Sequence, residues 1–322
     1  MVVALDRRTG NTLWTAPVES SWPPAVAGDR VVIAASDEIH ALDAATGAPR
    51  WRTSIAQPAA GTMIVHGATL IVPLAGGTLV AFDVATGKTT WTARLEGVSG
   101  QLQLTPGPGG VYLSSSDGHV AAISILDGRV IWRRTIEGAL TRPAAARERI
   151  IIGSSTDHFY ALNPDSGKEE WRWATAADPI GAVGDADLVF LTALDNTVRA
   201  VNRGNGNQRW REVLGTRPTH PPVALGGIVV VTADSPTLSA FVGKTGAAAG
   251  TYDAPARLQG PPLIDPAPQP FSVAIVIIMR DGNVIGLTPT GLQFHEGWAL
   301  PLIALPGRPL PREPAPAGSR PR

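Results

Sequence analysis

The sequence repeats one short motif eight times, at intervals close to 40 residues. Its best preserved copies, at 4–14 and 41–51, read Ala-Leu-Asp, then Thr-Gly, then Trp. A period near 40 that contains short β-like runs is typical of β-propeller blades rather than of helical solenoids. The repeat glycines are Gly10, Gly47, Gly87, Gly128, Gly167, Gly206, Gly246 and Gly291.

Each repeat predicts four strands. In the second repeat, strand-forming runs at 25–27, 31–35, 39–43 and 50–54 are separated by glycine, aspartate and alanine turns. No segment carries a sustained helical period. The sequence therefore predicts an all-β propeller of four-stranded blades at residues 1–305.

The blade number depends on how the ends are interpreted. The first repeat contains only its last two strands, so eight motif copies predict eight blades with an incomplete first blade, and seven complete repeats leave seven blades as the alternative. Either the chain lacks upstream residues that include two strands and any signal, or its N-terminal pair completes a ring that the C-terminal segment closes.

The motif residues have structural explanations. The aspartate can accept hydrogen bonds from the backbone of its own turn, and the glycine can take the positive φ that closes the hairpin. The tryptophan lies on the outer strand, where we expect it to pack against the next blade. Gly250 and His295 take the tryptophan position in the last two copies. The motif positions are Asp6, Gly10, Trp14, Asp43, Gly47, Trp51, Asp83, Gly87, Trp91, Gly128, Trp132, Gly167, Trp171, Gly206 and Trp210.

Composition excludes several kinds of site. The 27 basic and 27 acidic residues balance, which argues against nucleic acid as a partner. Because there is no cysteine, a disulfide, a zinc–thiolate site and a cysteine nucleophile are all excluded. The longest apolar run, 273–279, is far shorter than the roughly 20 residues that span a bilayer. No signal peptide pattern follows Met1, and residues 306–322 form a tail rich in proline and arginine that we expect to be disordered.

The spacing Ala-Leu-Asp-x-x-Thr-Gly-x-x-x-Trp resembles the repeat of the PQQ-like β-propellers, across roughly residues 1–298. Among these, a compact chain without cysteine is most similar to the BamB-type lipoproteins. That resemblance implies a non-catalytic, periplasmic or outer-membrane-associated scaffold that binds other proteins during outer-membrane β-barrel assembly. The chain departs from the BamB-type pattern because it shows neither a signal peptide nor a lipid-bearing cysteine, so the localisation assumes that an N-terminal signal is missing.

Two other functions remain open. The resemblance also covers quinoprotein dehydrogenases, which bind PQQ with calcium, and sensor propellers of larger signalling proteins. Inner strands dominated by Ala, Val, Gly and Pro offer few carboxylates for a calcium site, which needs about 6–8 oxygen ligands. We therefore expect no cofactor, no catalytic residue and no metal site, and we expect a monomer. His119 and His158 occupy equivalent turns, but two histidines without a third ligand do not predict a metal site.

Candidate partner-binding residues lie in the loops that lead into the innermost strands. Trp22, Arg142, Asp178 and His220 fall at or near one repeat position there, and they differ from repeat to repeat. A repeat position that the fold does not constrain can carry residues that recognise a partner. We predict that these four side chains ring one mouth of the central channel.

Overall fold

The computed structural model describes residues 1–185, 187–264, 275–290 and 293–300, with backbone alone at 225, 288–290 and 293–300. In every sheet, each strand pairs antiparallel with the next strand in sequence. The described part of the chain is entirely β, with seven four-stranded blades that follow an N-terminal two-stranded sheet. The predicted tail at 306–322 lies outside the described residues.

The strands run in chain order, and we number the blades 1 to 7. The two-stranded sheet is β1 (Val2–Leu5) and β2 (Thr12–Ala16). Blade 1 is β3 (Ala25–Ala27), β4 (Arg30–Ala34), β5 (Glu38–Asp43) and β6 (Pro49–Ser54); blade 2 is β7 (Ile64–His66), β8 (Thr69–Leu74), β9 (Thr78–Asp83) and β10 (Thr89–Arg94). Blade 3 is β11 (Leu102–Gly107), β12 (Gly110–Ser115), β13 (His119–Ile123) and β14 (Val130–Thr135); blade 4 is β15 (Ala144–Ala146), β16 (Arg149–Ser154), β17 (His158–Leu162) and β18 (Glu169–Ala174). Blade 5 is β19 (Pro179–Asp185), β20 (Leu188–Ala193), β21 (Thr197–Asn202) and β22 (Gln208–Val213); blade 6 is β23 (Val223–Leu225), β24 (Ile228–Thr232), β25 (Thr237–Val242) and β26 (Ala248–Asp253). Blade 7 is β27 (Leu263–Ile264), β28 (Ile275–Ile278), β29 (Val284–Thr290) and β30 (Gln293–Leu300).

This architecture confirms the predicted all-β propeller. Seven blades are complete, and the first repeat contributes only the two-stranded sheet. The first strands of successive blades contact one another, for example β15 with β19 and β19 with β23, so they lie innermost. The hydrophobic core is divided into clusters between neighbouring blades, such as the one that joins Ile71 of blade 2 to Leu113 of blade 3.

The motif tryptophans join each sheet to the next through one repeated contact. In six cases the indole Nε1–H donates a hydrogen bond to a backbone carbonyl in the motif hairpin of the following sheet, as predicted for packing against the next blade. The pairs are Trp14 with Ala44 (2.9 Å), Trp51 with Val84 (2.9 Å), Trp91 with Ile125 (2.8 Å), Trp132 with Pro164 (2.7 Å), Trp171 with Arg203 (2.8 Å) and Trp210 with Gly243 (2.7 Å).

The motif glycine has two roles, of which sequence reasoning found only the first. Gly87 has φ of +69°, which a glycine adopts without strain. A Cβ at this residue would also lie 2.5 Å from the ring of Trp51. The glycine therefore provides both the turn and the flat surface on which the preceding tryptophan stacks.

The last blade corrects one sequence assignment. In blades 1 to 5 the motif tryptophan pairs with the motif alanine, as Trp51 does with Ala41, and a bulge follows at once. In blade 7 the residue paired with Gly286, next to the same bulge, is Trp298, whereas His295 pairs with Thr288. The assignment of His295 to the tryptophan position was therefore wrong, because the β29–β30 hairpin is longer than the others.

Candidate interaction surface

One face of the propeller carries all four candidate residues. Because the strands alternate in direction, the loops between successive sheets and the hairpins between second and third strands lie at the same end. We call this end the loop face. The loops that precede blades 1, 4, 5 and 6 hold Trp22, Arg142, Asp178 and His220, respectively.

Arg142 is held in place by the preceding blade. Its Nε donates to the carbonyl oxygen of Leu104 at 2.9 Å and to Thr105 Oγ1 at 3.1 Å. The residue remains exposed to water, yet the surrounding protein lowers the pKa of the guanidinium by desolvation. Within the described residues no carboxylate forms an ion pair with it. Arg142 is thus a fixed cation with free donors.

His220 is half-buried beside two hydroxyl groups. Its Nδ1 lies 2.9 Å from Thr219 Oγ1 and 3.2 Å from Thr232 Oγ1. Burial lowers the pKa of the imidazole, and the positive charge of Arg280 lowers it further. His220 therefore presents a neutral ring at neutral pH.

Asp178 is exposed, and its carboxylate has no partner among the described residues. Its backbone is fixed, because the Asp178 carbonyl accepts a hydrogen bond from Leu194 N at 2.9 Å. The neighbouring hairpin contains a buried ion pair between Asp195 and Arg199. Burial acts to raise the pKa of Asp195, but hydrogen bonds from Arg199 and Thr197 outweigh it and lower that pKa.

Trp22 is half-buried, and its indole Nε1–H donates to the Ala59 carbonyl at 2.9 Å. Ser20 shapes this loop through hydrogen bonds to the backbone of Trp22. The contact joins the loop before blade 1 to the loop before blade 2.

The four residues share a face, but no hydrogen bond or ion pair joins any two of them. Each is anchored by its own neighbours. In sequence, Trp22 and His220 lie five residues before the last residue of the following inner strand, Arg142 lies four before it and Asp178 seven before it. The four residues therefore lie near one repeat position rather than all at the same one. Their placement around one channel mouth stays a prediction.

Sequence reasoning missed a hydrogen-bond centre at Asp117 on the same face. Its carboxylate accepts from Ser99 N at 2.8 Å and from Gly100 N at 2.9 Å, and it lies 3.0 Å from His119 Nδ1. Burial acts to raise the pKa of Asp117, but these hydrogen bonds and one from Ser115 lower it strongly. His119 thus serves this centre rather than a site shared with His158. Across the described ranges, no group of three or more His, Cys, Asp or Glu side chains is placed to hold a metal ion.

Comparison with known proteins decides the family. A family model described as outer membrane protein assembly factor BamB matches residues 1–142, 137–225 and 194–292. The chain belongs to this family.

Curated BamB proteins match over different lengths. The BamB of Burkholderia pseudomallei is 24% identical over 317 residues, which cover 89% of this chain and 79% of that protein. The BamB of Moranella endobia is 23% identical over 262 residues, covering 71% and 67%. That of Pseudomonas aeruginosa is 34% identical over 171 residues, covering 49% and 44%, and the match to the Bordetella pertussis BamB spans 32% of that protein.

Solved structures confirm the fold. The crystal structure of BamB from Moraxella catarrhalis aligns with a TM-score of 0.66 at 18% identity, covering 88% of this chain and 92% of that one. A computationally designed protein, Ika8, aligns with a TM-score of 0.74 at 16% identity, covering 88% and 91%. Among the residues that are described, no helix has the length and apolar character needed to cross a bilayer.

Proposed function

We propose that the chain is a non-catalytic scaffold that supports the assembly of outer membrane proteins by binding other proteins through its loop face. Membership of the BamB family across residues 1–292 carries this proposal. The family's name also supports a location in the periplasm, at the outer membrane. We expect the chain to act as a monomer, which light scattering of the purified protein tests.

The loop face supports the choice of binding surface. The guanidinium of Arg142 is held in a fixed position and still has N–H donors that are not used. Such a side chain can bind an acidic or carbonyl group of a partner with little further loss of side-chain conformational entropy. Arginine and tryptophan are also among the residue types that most often contribute large shares of the binding free energy at protein interfaces. Trp22 and Arg142 supply one of each.

Site-specific photo-crosslinking tests this surface in the bacterium that encodes the chain. A photoreactive phenylalanine derivative at Ala139, exposed in the loop that contains Arg142, reports on the loop face. The same group at Arg133, exposed on the outer strand β14, is the matched control. We expect Ala139 to cross-link to a component of the outer-membrane assembly machinery, and Arg142→Ala to abolish that product.

Two results would contradict the proposal. One is an equal yield of the same product from both positions, since the partner protein would then contact the outer strand as readily as the loop face. The other is the absence of any outer-membrane assembly protein among the products from Ala139.

We also propose that the chain needs no quinone cofactor. A tight calcium site needs about 6–8 oxygen ligands, usually with carboxylates among them. The described inner strands are mostly alanine, valine, glycine and proline, and the one carboxylate among them is Asp185. Titration of the purified chain with PQQ and calcium should leave the absorption spectrum of the quinone unchanged. A saturable spectral change together with dye reduction by an alcohol or a sugar would support the dehydrogenase alternative instead.

A further inference from the structure

A groove opens on the loop face between the two-stranded sheet and blade 1. Its main part, about 640 Å³, lies between the loop after β2, the β4–β5 hairpin and the loop after β6. A second part of about 440 Å³ continues between β2 and strands β5 and β6, and Pro17, Val18 and His40 line both. Ligand clefts commonly enclose roughly 300–1,000 Å³. The groove is therefore large enough to hold several residues of a peptide.

The walls of the main part suit a proline-rich peptide. Trp22 lines the groove with its ring position fixed by the hydrogen bond to Ala59, and Pro17 and Pro58 line it as well. Polyproline segments dock on aromatic surfaces because their conformation is already formed, so little entropy is lost on binding.

The same chain contains a segment of that composition. Residues 306–322 include six prolines and four arginines with a single acidic side chain, Glu313. The last strand of a blade runs toward the loop face, and β30 ends there at Leu300. At about 3.1 Å per residue, the 22 residues after Leu300 reach about 68 Å. That exceeds the width of roughly 50 Å expected for a compact chain of this length.

Charge favours this occupant. Glu19 lines the groove, is exposed and has no ion-pair partner among the described residues. His40 is already paired with Glu38, at 3.3 Å. In the main part of the groove, Glu19 thus gives an uncompensated negative charge, whereas Arg50 and Arg52 line the second part. The arginine-rich tail therefore fits the main part best.

We propose that this groove is a binding site for extended proline-rich segments and that its occupant is residues 306–322 of the same chain. In the chain by itself the tail covers Trp22, so a partner protein that binds Trp22 must displace the tail. Glu19 attracts the arginines of the tail. This inference does not depend on the scaffold function, since it concerns only the chain itself.

The absence of cysteine allows a direct test on the full chain. A single cysteine introduced as Leu310→Cys or as Ala315→Cys is labelled with bimane, a fluorophore that is quenched by contact with tryptophan. A short tether gives an effective concentration near the millimolar range, so a contact with a dissociation constant of about 0.1 mM or less is mostly formed. We expect Trp22→Leu to raise the emission of at least one labelled chain about twofold or more. Trp173→Leu, at a half-buried tryptophan on the outer strand β18, is the matched control and should leave the emission unchanged.

Glu19→Gln should also raise the emission at low salt, because it removes the charge that attracts the tail. Excess unlabelled peptide 306–322 should raise it as well, because it competes with the tail. Emission that is the same with and without Trp22 at both label positions would overturn the proposal. Quenching that grows with protein concentration would also overturn it, because the tail would then bind a second copy. Either result leaves the cross-linking test of the scaffold function unaffected.

Discussion

At the residue scale, one carboxylate organises each well-preserved motif hairpin. Asp43 accepts hydrogen bonds from Thr46 N and Thr46 Oγ1, both at 2.9 Å, and from Ala45 N at 3.0 Å. It also forms an ion pair with Arg50. The hydrogen bonds from Arg50 and then Thr46 lower the pKa of Asp43 to about 2. Asp6 and Asp83 follow the same pattern, with pKa values lowered by Thr9 and Thr86 respectively.

These shifts predict loss of stability in acid. The folded-state pKa of Asp43 lies below its ordinary value of 3.8, so the ionised carboxylate stabilises the fold above about pH 4. That stabilisation is lost as the pH falls from about 4 to about 2. Asp43→Asn should therefore lower the free energy of unfolding at pH 7 and flatten its decline in acid, as measured by urea unfolding at several pH values. Asp178→Asn, at an exposed carboxylate that no described side chain pairs with, is the control. An acid profile unchanged by Asp43→Asn would contradict this account.

The motif glycine gives a second prediction at this scale. Gly128 and Gly67 both have positive φ, of +73° and +57°, so alanine costs about 1–2 kcal/mol of backbone strain at either one. A Cβ at Gly128 would lie 2.5 Å from the ring of Trp91, whereas a Cβ at Gly67 meets nothing within 4 Å. Gly128→Ala should therefore lower the free energy of unfolding by about 1–3 kcal/mol more than Gly67→Ala does. Equal losses in urea unfolding would show that the tryptophan contact is not tight.

At the element scale, blades are joined by the tryptophan contact and, at some interfaces, by a second donor two residues later. Thr53 Oγ1 donates to the Gly87 carbonyl at 2.8 Å, and Arg134 Nη1 donates to the Gly167 carbonyl at 2.7 Å. At the same place in blade 4, the Nε1–H of Trp173 is buried and has no hydrogen-bond partner in the part of the chain that the structure describes. The strength of the joint therefore varies from blade to blade on a common plan.

Arg134 allows this second contact to be measured. Arg134→Met keeps the aliphatic stem and removes the donor, so the free energy of unfolding should fall by about 0.5–1.5 kcal/mol. Arg133→Met changes the neighbouring exposed residue and should have almost no effect. Chemical unfolding of the two variants compares them directly, and similar values for both would argue against a role for the contact.

The blades also show which assignments the sequence could predict and which it could not. The strand pattern and the tryptophan packing followed from the repeat, because each blade obeys the same local spacing. The assignment in blade 7 failed because the β29–β30 hairpin is longer than the others. The usual spacing from Gly291 therefore ends at His295, whereas the residue opposite Gly286 is Trp298.

At the scale of the whole molecule, the sequence placed the candidate residues on one set of loops but could not show how each is held. Arg142 is positioned by Leu104 and Thr105, about one repeat earlier in the chain, and Trp22 by Ala59 in the next loop. Such contacts form only when neighbouring blades pack, so no local pattern predicts them. The groove at Trp22 is likewise a product of packing between two sheets.

The central claim is that the loop face serves outer membrane protein assembly. The most direct measurement is the amount of folded β-barrel protein in the outer membrane of the encoding bacterium, after its chromosomal gene is deleted and a variant is supplied. We predict that deletion lowers this amount, that the wild-type chain restores it, and that a chain with Trp22→Ala, Arg142→Ala and His220→Ala does not, although it accumulates normally. A chain with the exposed outer-strand substitutions Thr92→Ala and Arg133→Ala should restore it fully. An unchanged amount after deletion, or full restoration by the loop-face variant, would contradict the account.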